Sequence, residues 1–146
     1  MVVEATSANG VIRGSSGGAL RKHRMCAILV AFLNDPQCQN KQDERKVQIP
    51  CWDKPGSPCT DYAGISVKDL YCNADGYHET AFQGTDTCDE TKGQKETVDI
   101  LKNQCTYGMK FSSCIPGDCH FDDDAVIVDG LWSANAVVEE GTALVV

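Results

Sequence analysis

Apolar and polar positions along this chain fall into short, strand-sized blocks. Met25 to Leu33 (MCAILVAFL) is unbroken apolar sequence. A run of that length predicts a central strand over Cys26 to Leu33, buried on both faces. Tyr77 to Gln83 (YHETAFQ) alternates instead, as a strand with one wet face does. Val47-Gln48-Ile49 and Val98-Asp99-Ile100 are apolar-polar-apolar triplets, each placed in a further strand. Ala125 to Trp132 (AVIVDGLW) carries an Asp-Gly pair suited to a type I′ hairpin turn. The last block, Asn135 to Val146, predicts another hairpin or strand pair ending in the apolar run Ala143 to Val146.

Two of these blocks echo each other. AFLNDPQC (Ala31 to Cys38) and AFQGTDTC (Ala81 to Cys88) share Ala-Phe, then five mostly turn-forming or polar residues, and a terminal Cys. KVQIP (Lys46 to Pro50) then aligns with TVDIL (Thr97 to Leu101). The sequence therefore predicts two related β units, each reading strand, turn, Cys, polar loop, strand, Cys. Cys26, Cys38, Cys51 and Cys59 belong to the first unit; Cys72, Cys88, Cys105 and Cys114 belong to the second. If the units are siblings, their disulfides should match.

Composition explains why cross-links matter. Aromatic residues make up only 7% of the 146, so large side chains are scarce for a core, yet there are nine cysteines. No pair has the C-x-x-C spacing that zinc ribbons and thioredoxin-like redox sites need. Widely spaced cysteines read as disulfides and place the chain in an oxidising compartment. Eight of them allow on the order of a hundred pairings, so connectivity stays open. The ninth is odd: Cys119, outside both units, is the first candidate for a free or intermolecular thiol, and Cys26 the second. A net charge of −8 disfavours nucleic acid. No apolar run reaches membrane-spanning length. Leu20 to Leu33 imitates the basic and apolar regions of a signal peptide. It lies well inside the chain with no A-x-A site after it, so it is read as a strand, with any export signal expected outside this sequence.

From Cys26 to Cys119 the pattern of strand, Ser/Asp/Gly turn and Cys resembles short Cys-rich β units in secreted proteins of algae and other protists. That resemblance implies a secreted, mainly β, non-catalytic module.

Candidate chemistry is sparse. Gly14-Ser15-Ser16-Gly17-Gly18 fits the nucleophile pattern G-x-S-x-G, but no amphipathic helix follows, and a trypsin-like order would need a His and an Asp before it, where neither stands. It reads as a Gly/Ser hinge behind an N-terminal strand. Cys119 to Ala125 (CHFDDDA) offers His120, Asp122 and Asp124 as weak metal ligands, but it lacks the Gly and terminal Glu of an EF-hand loop, and a solvated acidic turn before the strand AVIV is the preferred reading. His78 sits beside Glu79, but neighbours in a strand face opposite ways. Arg21, Lys22, His23 and Arg24 form a basic patch that could dock an anionic glycan or a neighbour's acidic face. Asn103-Gln104-Cys105 is only a rare variant of a glycosylation sequon. No catalytic set and no cofactor motif is assigned.

The expected fold is mainly β, a small disulfide-rich protein with two related β units in a sandwich-like arrangement and terminal strands. Its segments are an N-terminal arm (1–24), a first unit (25–60), a second unit (61–120) and a C-terminal hairpin or strand (121–146). The expected role is an extracellular structural or adhesive module, a non-enzyme, self-associating through terminal strands or binding another extracellular protein. A secreted effector, toxin or inhibitor with one target is the alternative; a small secreted hydrolase is a more distant one.

Overall fold

The computed structural model describes residues 24–62, 64–120, 125–132 and 134. The Gly/Ser hinge with Ser16, the basic residues Arg21, Lys22 and His23, the pair Asp122 and Asp124, and the terminal strands before 24 and after 134 lie outside the described residues. What is described is mainly β, as the block pattern predicts. Among the described residues nine strands form two sheets: β1 (Met25–Phe32), β2 (Glu44–Cys51), β3 (Thr60–Tyr62), β4 (Ile65–Asn73), β5 (Gly76–Gln83), β6 (Gln94–Leu101), β7 (Cys105–Thr106), β8 (Met109–Pro116) and β9 (Ala125–Ile127). One sheet has the order β7-β8-β1-β2-β9 and the other β3-β4-β5-β6.

The sheets pack face to face, with β1 over β4, β8 over β5, and β7 and β8 over β6. Inward positions follow the two-residue period of a strand. Ala27, Leu29 and Ala31 of β1, Val47 and Ile49 of β2, Tyr77 of β5 and Ile100 of β6 share one buried cluster. The long apolar run of β1 is covered on its other face too, at both ends: Cys26 and Phe32 are buried there.

The two hairpins that echo in sequence have the same register. Phe32 faces Glu44, Leu29 faces Val47 and Ala27 faces Ile49. Phe82 faces Lys95, Glu79 faces Val98 and Tyr77 faces Ile100. The partner strands correspond as well. The β3–β4 pair flanks β5 as the β7–β8 pair flanks β1. Lys110 of β8 lies 5.9 Å from the centre of the Phe32 ring, and Lys68 of β4 lies 5.5 Å from that of Phe82. Each is a cation over an aromatic face. One sheet is thus continuous in the chain, while the other joins β7-β8 to β1-β2. The sheets do not follow the 25–60 and 61–120 boundaries.

Four disulfides tie this arrangement together: Cys26–Cys119, Cys38–Cys105, Cys59–Cys88 and Cys72–Cys114. Cys51 is the free cysteine. This corrects the sequence reading, which put Cys51 in a bridge and left Cys119 odd. Cys51 points into the core from the end of β2, while Cys119 lies opposite Cys26 on the outer face of β1. The bridges also fail to match within the two contiguous units: a Cys26–Cys59 partner to Cys72–Cys114 does not exist. They correspond in another way. Cys38 and Cys88, both left-handed at φ 56° and 54°, reach from the hairpin loop to the start of the flanking strand pair, at Cys105 and Cys59. Cys72 and Cys114 occupy the corresponding strands β4 and β8 and join one sheet to the other.

The Asp-Gly of AVIVDGLW does not make a hairpin. β9 runs parallel to β2, and the chain then turns into the sandwich. A single helical turn follows, closed by the Ala134 N–H donating to the Gly130 carbonyl at 3.1 Å. Val128, Leu131 and Ala134 are buried in the core cluster.

Candidate functional site

Three features carry the polar chemistry, each placed by strand parity. The first is on the outer face of the four-stranded sheet. Tyr71 of β4, His78 of β5 and Asp99 of β6 lie in one cross-strand row. Tyr71 stacks on His78 with ring centroids 4.5 Å apart, and His78 Nδ1 lies 2.6 Å from Asp99 Oδ1. The carboxylate fixes the ring's orientation and leaves Nε2 as its remaining polar atom. His78 and Glu79 do face opposite ways, so the imidazole's acid partner is Asp99, across the ladder. Asp99 was visible in the sequence only as the centre of the Val98-Asp99-Ile100 triplet; the register that sets it beside His78 was not.

The second feature is Glu79 itself, buried between the sheets where the β1–β2 hairpin has Leu29. Tyr77 Oη donates to Glu79 Oε1 at 2.6 Å, and the Leu131 N–H donates to the same atom at 2.8 Å. Burial pushes this carboxyl above the ordinary range, against the lowering effect of its two hydrogen bonds. Gly130 passes close over it: a Cβ there would lie 3.4 Å from Glu79 Oε1. The acid therefore anchors the turn at 128–134.

The third is the strap from Gly117 to His120 on the outer face of the other sheet. Gln48 grips His120 by its backbone: Gln48 Nε2 donates to the His120 carbonyl at 2.9 Å, and the His120 N–H donates to Gln48 Oε1 at 3.2 Å. Arg24, the one described member of the basic patch, lies 3.1 Å from Asp118. Together with Cys26–Cys119, these contacts pin the strap. Of the proposed metal ligands only His120 is described, and among the described residues no three His, Cys, Asp or Glu side chains cluster.

In chemical terms the row can exchange a proton or accept a hydrogen bond at His78. Thr80 and Thr97 are the next cross-strand pair on that face, and no hydrogen bond joins either hydroxyl to the ring among the described contacts. Cys51 is inert for a different reason: burial pushes its thiol up to about 12. Among the described residues no helix is long and apolar enough to cross a membrane. No protein-family model matches this chain, and neither does any curated protein or solved structure.

Proposed function

We propose that the chain is an extracellular structural or adhesive module that acts as a subunit of a larger assembly. The observation that carries this reading is the placement of the four bridges. Two tie a hairpin loop to the edge of its own sheet, one joins the two sheets, and one pins the strap across β1. In the chain-entropy model, loops of 29 to 93 residues are each worth roughly 3.5 to 5 kcal/mol as independent closures. Four disulfides belong to an oxidising compartment. Such a body keeps its shape outside the cell and presents fixed surfaces, which suits binding and assembly rather than turnover.

Sedimentation velocity of the oxidised protein tests the reading. Association at micromolar concentration is the expected result. A monomer throughout would overturn it in favour of a secreted effector that binds one target.

A further inference from the structure

β6 is the last strand of its sheet, and among the described residues no strand pairs with its outer side. Which backbone groups lie open follows from the register. The Lys102 N–H donates to the Asp75 carbonyl at 3.0 Å, and Asp75 and Lys102 continue the unbroken β5–β6 pairing. In an antiparallel ladder the hydrogen-bonded pairs alternate. The even positions of β6 therefore face β5, and the N–H and C=O groups of Lys95, Thr97 and Asp99 point outward. Their side chains are exposed, while Val98 and Ile100 are buried. This edge is eight residues long and has no proline and no bulge. Of the usual devices that protect an edge it carries only charged side chains, Lys95, Glu96 and Asp99.

We infer that β6 is a self-pairing edge, which joins a second copy of this chain through antiparallel β6–β6 pairing centred on Thr97. The commitment to a second copy comes from charge. Outward-facing positions can pair only with one another. The register that sets Thr97 opposite its counterpart also sets Lys95 opposite the second copy's Asp99, and Asp99 opposite its Lys95. Centring on Lys95, Glu96 or Asp99 would instead oppose like charges, which destabilises cross-strand pairs, and centring on Val98 would set Lys95 opposite Leu101 and make no ion pair. The two-fold thus makes both ion pairs at once, as an isologous interface requires. Asp99 has a second oxygen for this, since Oδ1 faces His78. Tyr107, the exposed large hydrophobic among the described residues at 57%, stands beside the edge with its hydroxyl 3.3 Å from Glu96 Oε2. Interfaces are enriched in such side chains.

This inference rests on the assembly reading above and names the surface that reading leaves open. The test is sedimentation equilibrium of the oxidised protein, with hydrogen exchange at two concentrations. Lys95→Glu should weaken association at least about tenfold, because it places acids opposite each other at both pairs. Lys95→Glu combined with Asp99→Lys should restore it to within about threefold. The amides of Lys95, Thr97 and Asp99 should gain protection only at the higher concentration. Association that Lys95→Glu leaves unchanged would overturn the β6 edge and leave the assembly reading standing. Protection of those amides in dilute monomer would also overturn it, since another part of the same chain would then cover the edge. A wild-type monomer at every concentration would overturn both.

Discussion

Single residues decide which groups in this sandwich react. Cys51 has no bridge and no route to solvent, so the odd sulfur does not link chains. In oxidised native protein, a thiol reagent such as dithionitrobenzoate should find no reactive group, and on denaturation without reductant it should find one. Rapid reaction in the native state would contradict the buried placement. Cys51→Ala should keep all four bridges at a cost of about 1 kcal/mol, the size of a small buried group. Glu79 gives a pH signature. Its folded value is raised above the unfolded one, so the folded state binds the proton more tightly. That contribution is complete below the ordinary glutamate range and is lost as pH rises through the folded value. Urea midpoints from about pH 4 to about pH 8 should therefore show wild type losing ground to Glu79→Gln as pH rises. Parallel curves would contradict the assignment. Asp35 and Asp89 are both shifted downward, Asp35 chiefly by the Asn40 N–H and Asp89 by the Thr91 hydroxyl. Their slopes run the other way, and they cancel in a comparison of the two proteins.

At the scale of elements, the hairpins were legible and their partners were not. Ala31-Phe32 against Ala81-Phe82 and Val47 against Val98 are local signals, each set by a strand's own two-residue period. Nothing in that period says that β1 pairs with β8, because the pairing spans most of the chain. The continuous apolar run of β1 indicated cover on both faces, and the strap supplies it at Cys26. The turn Asn73 to Gly76 makes a sharp prediction. Gly76 has φ +155°, and a Cβ there would lie 2.5 Å from the Ile100 carbonyl oxygen. Gly64, at φ +99°, has open space around it. Gly76→Ala should cost about 1–3 kcal/mol and exceed the cost of Gly64→Ala, which carries backbone strain without a collision. Equal losses in thermal unfolding would show that packing against β6 is not what Gly76 serves. The Asp-Gly of AVIVDGLW misled for a related reason. A turn dipeptide states that the chain can bend, and here burial of Leu131 and the Glu79 contact decide where it goes.

For the whole molecule, cysteine count and spacing predicted stapling, and the aromatic-poor composition explained the need for it. The connectivity was beyond reach because it depends on which sheet faces which. Cys38 and Cys88 meet Cys105 and Cys59 because β7-β8 and β3-β4 take equivalent places beside the two hairpins. The Tyr71–His78–Asp99 row emerged the same way, from three strands brought into register. Two sheets held by four particular bridges, with one cysteine sealed between them, define this molecule. Peptide mapping under non-reducing conditions, after alkylation in denaturant, measures this directly. It should return Cys26–Cys119, Cys38–Cys105, Cys59–Cys88 and Cys72–Cys114, with the alkyl label on Cys51 alone. A label on Cys119, or any bridge that includes Cys51, would contradict the fold as described.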